Sequence, residues 1–390
     1  MEKKMALRQY AILKAVAYYL GAFLSRGPME RSKDSMKANI KTISGLTGFS
    51  PATVSNALNN KRGVNKDTAE KIFKTAREIG YLDGQRVTGV KLVIYRKNGF
   101  VVNDSPFFSS LMAGVEAECR SFGFDCIFCH IDQDSPSYDE EMGELLNDAS
   151  SALLILATEM DPAEAAKFQN ALGPVVMLDN WYEGLGCSAV LIDNTDAACR
   201  AVEYLIQKGH RRIGHLRGSS EIKNFYYRKL GYQRALQEHG LSLNPAYTFT
   251  LTPSMEGACG DMAALLEERP ELPTAFFADN DMIALGAMRA LQQHGFRIPQ
   301  DVSVVGFDDL PFCSISTPPL TTVKVYNRQM GCAAVRRLMQ LAEYGNDYCT
   351  KTQITSGFVE RDSVRDLRAP TDENGKQDQE NKFKSEGAVS

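Results

Sequence analysis

The sequence predicts a small all-α domain followed by a larger α/β region built on two parallel sheets. Three observations carry that prediction. Residues 36–82 hold three short helical patterns. From Val90 onward, short apolar runs alternate with longer amphipathic ones, the signature of parallel strands joined by helices. At 390 residues the chain exceeds the size at which one core stops growing, so the α/β region should divide in two.

Taken in order, the first 35 residues are the least legible. Lys3, Lys4 and Arg8 precede an apolar run from Ala11 to Leu24 that superficially looks like a secretion signal. Lys14 interrupts it, it is short for a membrane span, and no small-residue cleavage site follows. Residues 1–35 read as an extra helix or as an overcalled start, with Met29 or Met36 as the beginning. The first short helix covers about Lys41 to Leu46, and Thr47-Gly48-Phe49 makes a turn. Ser50 then suits an N-cap and Pro51 a first helical position. Val54, Ala57 and Leu58 fall on one face, leaving Ala52, Thr53, Ser55 and Asn56 outside. Asn65 caps a third helix, Asp67 sits near its positive end, and Ala69, Ile72, Phe73, Ala76 and Ile79 recur at helical spacing until Gly80 stops it.

Eight strands are expected, at Val90–Tyr95, Asp125–His130, Ala152–Ala157, Val175–Asp179, Ala189–Ile192, Arg212–Arg217, Ala275–Ala278 and Val302–Phe307. Helical patterns such as Phe108–Phe122, Asp196–Lys208 and Asp281–His294 separate most of them. Residues 363–390 are polar with few apolar anchors and read as a disordered tail.

Charge and cysteine content narrow the function classes. Met36 to Leu82 carries eight Lys/Arg against three Asp/Glu, a net of +5, leaving −9 for the rest of a chain whose total is −4. A basic module on an acidic body suits phosphate contact by the small domain. Nine cysteines form no regular framework, which fits a reducing cytoplasm better than a secreted scaffold. Cys126-Ile-Phe-Cys-His130 formally matches a haem-attachment motif. Along a strand, an offset of three places the two sulfurs on opposite faces, so a buried structural pair is the expected reading. The chain has no metalloprotease helix, phosphate loop or nucleophile elbow, and its five histidines are dispersed. No catalytic residue, cofactor or metal is expected.

The segment Ile40 to Asn59 has what a helix-turn-helix needs: a short helix, a Gly-containing turn and a capped second helix with small polar residues outside. By pattern alone a structural helical hairpin competes with it. With the following Lys61-Arg-Gly-Val64 and Glu78-Ile-Gly-Tyr81, this segment resembles the headpiece of the LacI/GalR family of repressors. The resemblance runs from Met36 to about Asp362. It continues through Ser105-Pro-Phe-Phe108, Ile192-Asp-Asn194, Gly209-His-Arg-Arg-Ile-Gly214, Asp279-Asn-Asp281, Ala284-Leu-Gly286, Val304-Val-Gly-Phe-Asp-Asp309, Pro318-Pro-Leu-Thr-Thr322 and Gly331.

That resemblance implies an all-α helix-turn-helix DNA-binding domain (36–82) and a type I periplasmic-binding-protein-like effector domain (90–362) of two Rossmann-like lobes. Lobe 1 would take about 90–192 and 324–350, and lobe 2 about 193–323 and 351–362. Pro51, Ala52, Thr53, Ser55 and Asn56 would meet the major groove of a pseudo-palindromic operator. Asn56 stands where members often carry Arg, an exchange that favours adenine over guanine. Lys61 and Arg62 would hold phosphates, and Asn59 would position the loop. The family's hinge helix, whose Leu wedges into the minor groove, looks deleted in the shortened linker 83–89. Leu82 or Val87 could substitute, although Gly84 and Gly89 disfavour a helix there.

In the effector domain, the resemblance assigns Phe107, Phe108, Asp179, Arg228, Asn280 and Asp308 to ligand contact in the cleft between lobes. Trp181 would be a further stacking platform. Carboxylates and amides pair with vicinal hydroxyls, so a sugar is the expected effector. The expected protein is a cytoplasmic, homodimeric, allosterically controlled repressor with no membrane association. An exported or tethered sugar-binding protein of a transport system is the alternative.

Overall fold

The computed structural model describes residues 39–58, 64–79, 87–99, 101, 106–345 and 348–368, in two units, 1–84 and 85–390. Asn59, Lys61, Arg62, Leu82 and the linker up to residue 86 lie outside the described residues.

The first unit holds α1 (Ile40–Thr47), α2 (Pro51–Leu58) and α3 (Lys66–Glu78). Each helix start is capped by a nearby side chain, which satisfies amide groups that a helix leaves open. The Asn39 side chain accepts from the Thr42 amide at 3.0 Å, Ser50 Oγ from the Thr53 amide at 3.1 Å, and Asn65 from the Asp67 amide at 2.9 Å. Gly48, at φ 74°, ends α1, and its amide donates to the Ser44 carbonyl. Ile43, Val54, Ala57, Ile72 and Ala76 form the core.

The second unit contains two sheets of like design. The chain runs β1 (Gly89–Arg96), α4 (Pro106–Ser121), β2 (Cys126–Asp132), α5 (Tyr138–Leu146), β3 (Ser151–Leu156), α6 (Pro162–Lys167), β4 (Val175–Leu178) and β5 (Ser188–Ile192). It crosses into α7 (Asn194–Gln207), β6 (Ile213–Gly218), α8 (Lys223–Glu238), β7 (Thr248–Leu251), α9 (Met255–Glu267), β8 (Ala275–Ala278), α10 (Asp281–Gln293), β9 (Ser303–Asp308), α11 (Phe312–Ile315) and β10 (Thr321–Lys324). It returns for α12 (Asn327–Tyr344) and β11 (Lys351–Ile354), and crosses once more to β12 (Gly357–Val359). The strand orders are β11-β5-β4-β3-β1-β2 and β12-β10-β9-β8-β6-β7. Every pairing is parallel except the antiparallel β10–β12 pair. Helices pack tightly where glycine removes the obstacle: a Cβ on Gly114 of α4 would stand 2.2 Å from the Arg328 carbonyl of α12. One on Gly286 of α10 would stand 2.4 Å from the Met255 carbonyl of α9.

Several expectations are corrected. β11 extends the first sheet beside β5, so residues 351–354 belong to lobe 1, and the last crossover falls at 355–356. The tail does not come loose at 363: Ser363 is fully buried, receives the Thr321 amide at 2.8 Å and donates to the Val304 carbonyl at 2.6 Å. Residues from 369 lie outside the described ones. β2 is an edge strand with Ile127 and Phe128 exposed. Cys126 and Cys129 therefore flank the sheet on opposite faces, half-buried rather than as a buried pair, each against a different cluster. Val87 is buried in the second unit's core, with the adjacent Thr88 amide bonded to the Ser150 carbonyl at 2.8 Å, so it is not free to act as a groove wedge. The short strands β7, β10, β11 and β12 were not expected; three or four residues carry too little alternation to stand out.

Candidate ligand cleft and nucleic-acid interface

In the first unit the burial pattern of α2 follows its cap. Ser50 fixes the first turn, and Val54 and Ala57 then turn inward onto Ile43 and Ile72. Pro51, Ala52 and Asn56 are left exposed, with Thr53 and Ser55 partly so. The Thr53 hydroxyl lies 2.9 Å from Ser50 Oγ, so one of the five is partly engaged in its own helix start. This is a small, uncharged face of a width that a major groove admits.

In the second unit, all six residues expected at the effector line one small cavity of about 30 Å³ between the lobes. Phe107 and Phe108 open α4, both buried and packed edge to face with ring centres 5.1 Å apart. Their connection to β1 is organised by Glu159, a buried carboxylate that accepts the amides of Lys97, Asn98, Gly99 and Val101 at 2.9–3.2 Å. Asp179 follows β4 in a left-handed conformation, φ 67°, unusual for a residue with a side chain. Its Oδ2 receives the Thr158 hydroxyl at 2.6 Å and the Asn224 amide at 2.9 Å. Its Oδ1 is buried without a partner, and the residue lines the cavity. Burial pushes this carboxyl up to about 6, against the pull of Thr158, Arg228 and Asn224.

Arg228 is the organiser of lobe 2. Buried in α8, it donates from Nε to Asn194 Oδ1 at 2.9 Å, from Nη1 to the Asp279 carbonyl, and from Nη2 to Asp308 Oδ1 at 3.4 Å. Its guanidinium lies 3.8 Å over the Phe307 ring. Asp308 ends β9 at φ 125°. Burial drives its carboxyl up to about 8 despite Arg228, with Asp281 and Asp179 adding to the rise.

Asn280 lines the cavity, but its side-chain oxygen caps α10 by accepting the Ile283 amide at 2.9 Å. Its neighbours hold the walls. Asp279 takes His215 Nε2 at 2.7 Å and the Gly218 amide at 2.9 Å. Asp281 takes the Thr322 hydroxyl at 2.6 Å and the Leu310 amide at 2.9 Å. Trp181 stands apart, lining an adjoining cavity.

Sequence reasoning passed over Thr158, Asn224, Asn194 and Glu159. Asn194 Nδ2 donates to Asn224 Oδ1 at 2.8 Å, so a continuous polar chain runs from Thr158 and Asp179 of lobe 1 through Asn224 and Asn194 to Arg228 and Asp308 of lobe 2. One signal was present: Asn224 and Arg228 are four apart on a helix and so share a face. Thr158 and Glu159 had none, because a residue after a buried strand can point anywhere.

Comparison with known proteins adds an independent line. Residues 39–83 match the family model "Bacterial regulatory proteins, lacI family", and residues 202–364 match "Periplasmic binding protein-like domain". The chain is 30% identical to the ribose operon repressor of Haemophilus influenzae over 85% of its own length and 100% of the relative's. It is 31% identical to the HTH-type transcriptional repressor CytR of Escherichia coli, over 80% of this chain and 92% of that one. A solved transcriptional regulator CelR–cellobiose complex superposes with a TM-score of 0.65 at 25% identity, covering 84% of this chain and 100% of that one.

Proposed function

The chain belongs to the LacI family of bacterial regulatory proteins, and from that premise we propose that it is a sugar-responsive repressor of transcription. It is a DNA-binding protein, not an enzyme. In this reading α2 enters the major groove with Pro51, Ala52, Thr53, Ser55 and Asn56. Asn59, Lys61 and Arg62 act on the backbone beside it, and two copies address a pseudo-palindromic operator as a homodimer. The setting is the cytoplasm, where such repressors meet DNA; no helix among the described residues is long and apolar enough to cross a membrane.

The observation that carries the effector reading is the buried, unpartnered Oδ1 of Asp179, a residue that lines one cavity with two aromatic rings and an arginine–aspartate pair. A buried acceptor without a donor costs about 1–3 kcal/mol, which a ligand hydroxyl removes. The rings of Phe107 and Phe108 offer the apolar surface that a sugar's C–H face fits. The related ribose repressor and the cellobiose complex carry the same chemistry in their names. Because Asn224 and Asp179 join the lobes, a ligand that competes for this carboxylate binds the two degrees of lobe closure unequally, which is what allosteric control requires.

The test is fluorescence anisotropy of the full chain with DNA from upstream of its own gene, across salt concentrations and a sugar panel. Binding should fall steeply with salt, exceed random DNA by about a thousandfold, and move with at least one sugar. Equal affinity for random DNA, repeated with selected sequence pools, rejects the repressor reading. Operator binding unmoved by every small molecule rejects the effector reading alone.

A further inference from the structure

Beside the cleft lies a second cavity of about 80 Å³, lined in part by Asp179, Trp181, Asn194, Lys223, Asn224 and Lys351. Two features make it electropositive. Lys351 Nζ stands 3.4 Å from the centre of the Trp181 ring and Lys223 Nζ 5.1 Å from it, with Lys223 also donating to the Trp181 carbonyl. Among the described residues neither ammonium is paired with a carboxylate; Glu183 acts on Lys223 only from farther away. Burial and then the neighbouring Lys351 lower the pKa of Lys223, and burial alone lowers that of Lys351.

The second feature is backbone. α7 begins at Asn194 and α8 at Lys223, and neither receives a capping bond from its N-cap side chain. Both first turns line this cavity; that of α8 carries no acidic residue, and the acids at the start of α7, Asp193 and Asp196, are paired with Arg200 and Arg234, so both helix starts can offer amide donors where the two lysines stand. Asp179 supplies the complementary need: the residue lines both cavities, and its buried Oδ1 has no partner and can accept from a hydroxyl donor.

We propose that this cavity is an oxyanion subsite that takes the phosphate group of a phosphorylated sugar, with the sugar ring reaching Asp179. Two ammonium groups and the amides of two helix starts match a phosphate, whereas a neutral sugar would leave that charge uncompensated. The position of the ring rests on the effector reading above. The oxyanion subsite does not, since inorganic phosphate alone can occupy it.

Trp181 is the chain's sole tryptophan and therefore reports on this cavity directly. The experiment titrates the full chain with inorganic phosphate against chloride at constant ionic strength, and with ribose, ribose 5-phosphate, glucose and glucose 6-phosphate, following Trp181 emission. A saturable response to inorganic phosphate is expected, with at least one ester binding at least about tenfold more tightly than its parent sugar. K351Q and K223Q should each weaken that response by about tenfold, the effect of losing one charge-assisted hydrogen bond. Lys351 is exposed, so K351Q keeps the test valid if K223Q melts early. A response to inorganic phosphate without any sugar selectivity supports the subsite and places its oxyanion on a free ion. If phosphate works and neither neutral sugar nor ester does better, the sugar reading fails while the subsite stands. No saturable response to phosphate or either ester, or a response that survives the double variant K223Q/K351Q, overturns the inference.

Discussion

The two lobes share a strand order and differ in what stands at the same strand end. Asp179 follows β4 of the first sheet and Asp308 closes β9 of the second, the equivalent position by topology. Both have positive φ, both are buried, and both carboxyls are raised by that burial. Asp179 is met by neutral donors, Thr158 of its own lobe and Asn224 of lobe 2, whereas lobe 2 sets a guanidinium against its own aspartate. A duplicated scaffold has thus yielded two acids with different partners. The first is free on one oxygen to receive a ligand, and the second is tied to the lobe's organiser.

The sharpest way to break this contrast is to remove the cation. R228M should leave three buried acceptors, Asn194 Oδ1, the Asp279 carbonyl and Asp308 Oδ1, without their donor, costing about 3–5 kcal/mol in urea-unfolding stability. An unchanged unfolding midpoint would mean that Arg228 is not what separates the lobes.

Stability against pH separates the two acids next. Each folded carboxyl lies above the unfolded value near 3.8, so its contribution is complete below that pH and is lost as pH rises, by about 6 for Asp179 and about 8 for Asp308. From pH 5 to pH 8, D308N should gain on the parent chain by about 1–3 kcal/mol, while D179N should stop gaining near pH 6. Thermal melting of both variants across that range reads the difference. Parallel curves would contradict it.

A smaller effect is expected at Glu159, whose four amide donors hold the entry to Phe107 and Phe108. E159Q keeps the shape but turns one acceptor oxygen into an amide NH2, so one side of the cradle, the three amides on Oε2 or the Val101 amide on Oε1, is left facing a donor; effector binding should loosen by about 1–2 kcal/mol with operator affinity in the absence of effector unchanged. Calorimetry with whichever sugar moves the DNA complex tests it, and equal affinity would assign Glu159 to folding alone. The smallest change belongs to Thr158. T158V removes one neutral donor from Asp179, costs about 1 kcal/mol, and should raise the carboxyl's pKa further. A carboxyl resonance titrating at the parent's pH would show that Asn224 alone sets its environment.

Much of this was legible before any coordinates. The Ser50-Pro51 start, the inward Val54 and Ala57 and the Asn65 cap are local facts, because capping and helical periodicity act within a few residues. The central strands were equally plain: β3 and β4 are buried on both faces and therefore read as unbroken apolar runs. The six cleft residues came from motifs, and the chain brings all six to one cavity.

Tertiary structure alone decided the rest. The strand β2 was expected but its place at the sheet's edge was not, and β11, unexpected altogether, joins the first sheet only because residues 188–192 present an open edge there. Glu159 is defined by four amides about sixty residues away in the chain, and Ser363 by Val304 and Thr321. Lys223, Lys351 and Trp181 are far apart in sequence and meet only where the lobes cross. Local pattern records the periodicity of one element, whereas a site is made where several elements end together. Buried polar groups there must find partners that no local window contains.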